Sequence, residues 1–161
     1  MTKHWRTIYR LCIAAIACSL AACNHSPIYS HYQDLPVRGW HQDSVLQYAV
    51  DITDSTATYD ILLMIRNNET YPYQNLWLFV SEGTTDGCIL HDTIECYLAD
   101  NHGRWLGSGI RTYELPLYYS IGHHFSQNGE YVFTLQQGMR EEYLRGITNI
   151  GLKITKHNGE K

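Results

Sequence analysis

The chain has 161 residues and a formal net charge of −4 at pH 7. Its first 22 residues carry three of the twelve Lys and Arg residues and none of the sixteen Asp and Glu residues, so the remaining 139 residues carry a net charge of −7. This length fits one domain with a core of useful size. The negative charge of these 139 residues argues against binding to nucleic acid and against broad adhesion to anionic lipid.

The N-terminus has the pattern of a secretory signal peptide. A basic start is followed by an apolar run at residues 11–20 and then by Ala21-Ala22-Cys23. The run is too short to span a bilayer, which needs about 20 apolar residues. Small residues before the cut suit a signal peptidase, and the next residue offers a thiol to a diacylglycerol. We therefore expect residues 1–22 to be a lipoprotein signal peptide and Cys23 to be the lipidated first residue of the mature protein; an ordinary cleaved signal is the alternative.

The anchor sets the expected location of the mature protein. Because the mature chain is acidic, acyl chains rather than surface charge must hold it to a membrane of the bacterial envelope. Asn24 is not acidic, which favours the outer membrane, and no acidic run follows it, which favours the periplasmic face. Residues 23–37 are expected to be the lipidated N-terminus and a polar tether, and residues 38–161 the folded domain.

Alternating apolar and polar residues predict β-strands along this domain. In residues 45–52, positions 46, 48, 50 and 52 are apolar and share one face. Further strands are predicted at residues 58–66, 76–80, 94–99, 104–106, 130–136 and 147–155, and a helical turn near residues 139–144. Turn-forming Gly, Asn and Asp cluster between these runs. The pattern predicts an all-β fold, a single antiparallel β-sandwich of jelly-roll-like or immunoglobulin-like type.

Two cysteines remain once the signal is removed and Cys23 is lipidated. Cys88 and Cys96 would close a loop of about nine residues, which is worth roughly 2.5 kcal/mol in the chain-entropy model. The envelope is oxidising and allows such a disulfide. Two buried thiols on separate strands are the alternative, and the sequence leaves both open.

A search for catalytic groups finds no complete set. Gly107-Ser108-Gly109 lacks the strand-to-helix setting of a nucleophile elbow, and we expect a backbone bend there. His123-His124 would face opposite ways on a strand, and we expect a solvated loop. Asp92, Glu95 and Asp100 could pair for glycoside hydrolysis, but an acidic surface offers such groups by chance. We expect no catalytic residues, no metal, no cofactor and no enzymatic activity.

Aromatic residues suggest a recognition surface instead. Tyr71, Tyr73, Tyr118 and Tyr119 lie in or near predicted turns, and tyrosine is favoured at binding surfaces. They are the candidate partner-binding residues, although Tyr118 and Tyr119 would suit a core equally well. Trp77 and Trp105 are expected to fill the core, and a binding role is the alternative.

A set of motifs in a fixed order resembles the gliding-motility lipoprotein GldH family of the Bacteroidota, over nearly the whole mature chain. The motifs are, in chain order, the lipobox ending at Cys23, Trp40, Tyr71-Pro72-Tyr73-Gln74-Asn75-Leu76, Leu98-Ala99-Asp100 with Gly103, Trp105-Leu106-Gly107-Ser108-Gly109, Tyr131, Met139-Arg140, and Gly146-Ile147 to Gly151-Leu152. No single motif is specific, whereas their order and spacing together are fairly specific.

The resemblance implies an outer-envelope lipoprotein that works beside other gliding-machinery proteins, which overlap with the type IX secretion machinery. It brings no enzymatic activity and no catalytic residues with it. The partners it implies are the membrane, through the lipid on Cys23, and other envelope proteins. The alternative is a glycan-binding or glycan-processing surface lipoprotein, because sandwich domains host many functions.

Overall fold

The computed structural model describes residues 26–84 and 87–159. The ten strands in these ranges are β1 (Tyr29–Asp34), β2 (Trp40–His41), β3 (Leu46–Ile52), β4 (Tyr59–Asn68), β5 (Asn75–Thr84), β6 (Gly87–Tyr97), β7 (Thr112–His123), β8 (Gly129–Gln137), β9 (Tyr143–Leu144) and β10 (Ile147–Lys156). Nothing in this described part is a helix long and apolar enough to cross a bilayer. The expected signal peptide and the expected lipidation site Cys23 lie outside it.

Two four-stranded antiparallel sheets pack on each other. Sheet 1 has the strand order β1-β10-β4-β7 and sheet 2 the order β3-β8-β5-β6, while β2 and β9 form a short separate ribbon. The inner faces of both sheets contribute to one apolar core. The predicted all-β antiparallel fold is confirmed.

The core follows from the alternation that the sequence displays. Strand β3 alternates strictly between buried and exposed residues along its whole length. Strand β4 lies inside sheet 1, as its apolar sequence suggested, and it is buried on both faces at Leu62, Leu63 and Met64. An interior strand has neighbours on either side, so even its outward side chains are covered.

One lateral side of the sandwich is closed and the other is open. On the closed side, the Tyr48 hydroxyl donates to the Ile150 carbonyl oxygen at 2.9 Å. The Gln33 amide donates to the Gln47 carbonyl oxygen at 2.7 Å, so β1 and β3 are also joined. On the opposite side, strands β6 and β7 are the outer strands of the two sheets and leave a groove between them.

The two ends of the sandwich differ in their longest connection. The end where β1 begins has the connections of residues 53–58 and 124–128, and we call it the N-terminal end. The other end has the connections of residues 69–74, 98–111 and 138–142, and we call it the loop end, because residues 98–111 form the longest connection in the described part of the chain. Long connections on a rigid sandwich are the usual position of binding residues.

The N-terminal boundary of the domain differs from the prediction. Residues 29–34, expected to be part of a tether, form strand β1 and pair with β10 from Tyr29 opposite Ile154 to Asp34 opposite Asn149. This segment is polar and lacks apolar alternation, but its backbone pairs along the outer edge of β10. The tether is therefore shorter than predicted, and the folded domain begins before residue 38.

Three further local predictions were wrong. Strand β7 was not predicted, and it includes Tyr118, Tyr119 and His123, which were expected in loops. Residues 104–106 form only an isolated bridge between Trp105 and Ala99 rather than a strand. The expected helical turn near residues 139–144 is absent, and Tyr143–Leu144 form β9 against Trp40–His41.

The expected disulfide between Cys88 and Cys96 does not fit this fold. Both residues lie on strand β6, eight positions apart. An extended strand separates such Cα atoms by roughly 26 Å, whereas a disulfide needs them within about 7 Å. Cys96 is a free and buried thiol, and burial raises its pKa to about 12.

Candidate protein-binding surface

The outer face of sheet 2 carries exposed aromatic residues. In β5, residues 76, 78 and 80 face the core, so Trp77 and Phe79 face outward, with 38% and 48% of their surfaces exposed. Trp77 was expected in the core, and this prediction was wrong. A strand with one face in the core normally carries polar residues on its outer face. The outward positions of β5 carry Trp77 and Phe79 instead, and this departure indicates a contact surface.

The neighbouring strand β6 extends this face. Tyr97 lies opposite Asn75 and Glu95 lies opposite Trp77, and 59% of Tyr97 is exposed. The Glu95 carboxylate accepts hydrogen bonds from the Asn75 amide at 2.5 Å and from the Tyr97 hydroxyl at 3.0 Å. The bond to Glu95 raises the pKa of Tyr97 and fixes the ring beside Trp77.

The connection after β8 closes over the end of β5. The Gly138 backbone N–H donates to the Trp77 carbonyl oxygen at 2.8 Å, and the Met139 sulfur accepts from the Trp77 N–H at 3.4 Å. A Cβ at Gly138 would come within 3.3 Å of the Phe79 ring and of the Trp77 side chain, so a larger residue would crowd both aromatic residues. Met139 is thereby held against Trp77.

A shallow cavity of about 400 Å³ lies at this junction. Its lining residues are Tyr73, Asn75, Trp77, Gly138, Met139 and Arg140. The Tyr73 hydroxyl donates to Glu141 at 2.7 Å, which raises the pKa of Tyr73. We define the aromatic surface as Tyr73, Trp77, Phe79, Tyr97 and Met139.

The composition of the aromatic surface suits protein recognition. Tryptophan, tyrosine and arginine are the residue types that dominate binding energies at protein interfaces. Methionine adapts its shape to a partner because its side chain is unbranched and polarisable. The sequence analysis found Tyr73 but missed Trp77, Phe79, Tyr97 and Met139 as surface residues.

Tyr71 has a supporting role rather than a binding role. Only 3% of its surface is exposed, so its side chain offers almost no area to a partner. Its hydroxyl donates to the Asn75 carbonyl oxygen at 2.7 Å, and its ring lies 5.8 Å from that of Tyr73 and 6.4 Å from that of Trp105. Gly146 has a φ of +87°, and a Cβ there would lie 2.3 Å from the Tyr71 backbone nitrogen. The buried Tyr71 ring therefore supports the Tyr73 ring on its core side.

Tyr118 and Tyr119 do not join the aromatic surface. They are neighbours on β7 and face opposite ways, so Tyr118 is exposed on the outer face of sheet 1. Tyr119 faces inward, where burial raises its pKa to about 12. Tyr118 and Tyr119 both line the groove of about 530 Å³ between β6 and β7, and Tyr97 borders the same groove from β6. Neither Tyr118 nor Tyr119 lines the cavity of Tyr73 and Trp77.

The carboxylates considered for catalysis are engaged in local structure. Asp100 accepts from the backbone N–H groups of His102 and Arg104, both at 2.9 Å, and from the Arg104 guanidinium. The bond from the Arg104 backbone leads the contacts that lower the pKa of Asp100, which suits a turn-forming carboxylate and not a general acid. Glu95 is bound by Asn75 and Tyr97. Within residues 26–84 and 87–159, no three potential ligands are arranged to hold a metal ion.

Comparisons with known proteins agree with the resemblance found in the sequence. The profile of the GldH lipoprotein family matches residues 27–154, from just before β1 into β10. A Christiangramia forsetii protein named gliding motility lipoprotein GldH homolog is 33% identical over 144 residues, which cover 84% of this chain and 88% of that protein. The gliding motility lipoprotein GldH of Flavobacterium johnsoniae is 33% identical over 152 residues, which cover 89% of this chain and 92% of that protein.

Proposed function

This chain belongs to the GldH lipoprotein family, and from that premise we propose that it is a lipid-anchored, non-catalytic component of the gliding-motility and type IX secretion-associated machinery. Its task is to hold a protein partner near the membrane. The observation that supports this most is the aromatic surface, which exposes large apolar rings toward the loop end of the sandwich.

The anchor is the lipid on Cys23, in the outer membrane and on its periplasmic face. The lipobox supports this assignment, and both named relatives are lipoproteins. Cys23→Ala should move the protein from the membrane fraction to the soluble fraction, or trap it as an uncleaved precursor. Normal maturation of this variant with full membrane retention would refute the anchor.

The partner contacts Trp77 and Phe79. Exposed aromatic residues of this size on one sheet face are costly to leave in water, and a partner that covers them gains about 25 cal/mol per Å² of buried apolar area. Tyr73, Trp77 and Tyr97 combine rings with polar ends, and Phe79 adds a purely apolar ring, which is the mixture of aromatic residues enriched at interfaces. Arg140 on the cavity rim adds a charge that can bind a carboxylate of the partner.

Photo-crosslinking in living cells tests the surface. A photoreactive amino acid at Phe79 should capture a discrete partner protein, which mass spectrometry then identifies. The matched control is the same amino acid at Ser30, which is exposed on the outer face of sheet 1. Capture at Ser30 but not at Phe79 would contradict the proposal, and capture of an envelope glycan at Phe79 would favour the glycan-binding alternative.

A further inference from the structure

The chain enters the folded domain very close to the proposed lipid. The Ile28 N–H donates to the Ile154 carbonyl oxygen at 2.9 Å, so backbone pairing with β10 has begun by residue 28. Only four residues, 24–27, then lie between Cys23 and Ile28. Fully extended, the five steps from the Cα of Cys23 to the Cα of Ile28 reach at most roughly 18 Å. A ten-residue strand such as β4 is about 33 Å long. The tether between Cys23 and the folded domain is therefore shorter than the domain.

A short tether determines which part of the domain can reach the membrane. Tyr29 lies opposite Ile154, and Tyr59 lies opposite both Lys156 and His123. The start of β1, the start of β4, the end of β7 and the end of β10 are therefore at one end of sheet 1. This is the N-terminal end. The aromatic surface extends from Phe79, in the middle of β5, to the opposite end of the sandwich, where β5 begins.

The N-terminal end exposes an isoleucine on a bulged strand. The register of β7 against β4 shifts between Ser120 and His123. Gly122 takes a φ of +67°, and its N–H donates to the Asp60 carboxylate at 2.9 Å. The bulge leaves Ile121 outside the core, with 65% of its surface exposed. A bulge re-aims a side chain in this way.

A groove of about 540 Å³ beside Ile28 adds to this surface. Leu62 and Tyr118 contribute apolar surface to its lining, and Asp60, Lys153 and Lys156 contribute charged groups. A lysine stem can lie along apolar surface while its ammonium group reaches phosphate groups. Ile28 is itself exposed on the same side of the sheet. Apolar side chains with a neighbouring lysine match the chemistry of the headgroup layer of a bilayer.

We propose that the N-terminal end lies against the lipid bilayer, with Ile28 and Ile121 in the headgroup layer and the loop end directed away from the membrane. This orientation rests on the proposed anchor at Cys23. It presents the aromatic surface to partners at a distance of roughly half a strand length at Phe79 to one strand length at Tyr73, about 17–30 Å from the bilayer. The occupant of the N-terminal end is thus lipid, and that of the aromatic surface is protein.

Fluorescence quenching by lipid tests the orientation on the full lipidated protein. Mature wild-type protein has Trp40, Trp77 and Trp105, all in the loop-end half of the domain. In vesicles of phosphatidylethanolamine and brominated phosphatidylcholine, this native emission should stay unquenched. Ile121→Trp should add emission that the brominated lipid largely removes.

Ile110→Trp is the matched control, because Ile110 is also a highly exposed isoleucine but lies in the 98–111 connection at the loop end. Its added emission should persist. Vesicle-bound protein in which Ile110→Trp is quenched, or Ile121→Trp is not, would overturn the orientation and leave the anchor intact. Failure of the wild-type lipidated protein to float with the vesicles would overturn the anchor and the orientation together.

Discussion

The Tyr48 hydroxyl of β3 donates a hydrogen bond of 2.9 Å to the Ile150 carbonyl oxygen of β10, and so links the two sheets across the closed side of the sandwich. The Tyr48 ring is fully buried, and burial raises the pKa of its hydroxyl. The two residues are 102 positions apart, so this bond fixes the mutual position of strands from opposite halves of the chain.

Removal of this hydroxyl should weaken the sandwich without changing its shape. Tyr48→Phe keeps the ring and deletes the donor, so we expect a loss of about 1 kcal/mol in the free energy of unfolding. Urea unfolding followed by circular dichroism measures it, with Tyr118→Phe as an exposed control. A Tyr48→Phe variant as stable as wild type would show that the bond contributes nothing.

Two tryptophans should respond very differently to truncation. Trp40 is fully buried, and its indole N–H donates to the Ser44 carbonyl oxygen at 2.9 Å, so Trp40→Ala should cost about 3–5 kcal/mol. Trp77 faces outward, so Trp77→Ala should cost about 1 kcal/mol or less. Thermal unfolding of both variants makes the comparison. Equal destabilisation would place Trp77 in the core after all.

Strands whose stability comes from side-chain burial were predictable from the sequence. Buried and exposed residues alternate along β3 because one face of the strand packs on the core, and the amino-acid sequence shows this two-residue period. Strand β1 was missed because its Tyr-Ser-His-Tyr-Gln-Asp sequence carries no such period. Its position depends on backbone hydrogen bonds to β10, and the pattern of side chains carries no information about such bonds.

Strand β7 was missed for a different reason. Pro116 lies in its middle, and a proline argues against a central strand because it cannot donate to a ladder. An edge strand tolerates it, and β7 is the edge of sheet 1. Whether a strand is an edge depends on tertiary structure, so the local sequence could not reveal it.

The candidate surface was only partly predictable. Residues 76–80 are apolar on both faces, so the pattern alone cannot tell whether Trp77 or Leu78 faces the core. Tyr71 and Tyr73 look equivalent in the sequence, yet the contact with Gly146 buries Tyr71 and leaves Tyr73 on the cavity wall. That contact joins positions 75 residues apart and is invisible to any local motif.

Cys96 should be chemically inert in the native protein. Its thiol is buried, and a pKa of about 12 leaves almost no thiolate at neutral pH. We expect iodoacetamide to modify Cys96 only after denaturation, and mass spectrometry of the unreduced protein to find no bond between Cys88 and Cys96. Rapid alkylation of Cys96 in the folded protein, or a bond between the two, would contradict the arrangement of β6.

The most direct test of the account is co-purification, without a crosslinker, of the partner identified by crosslinking at Phe79, from cells that express Trp77→Ala, Phe79→Ala double-variant protein. Tyr118→Ala is the control, because Tyr118 is also an exposed aromatic residue but lies on the outer face of sheet 1. With equal amounts of folded, membrane-bound protein, the double variant should recover at least roughly tenfold less partner, as the loss of about 2 kcal/mol or more at a binding hot spot implies. Tyr118→Ala should match wild type. Full recovery by the double variant, or an equal loss in Tyr118→Ala, would contradict the assignment of partner binding to the aromatic surface.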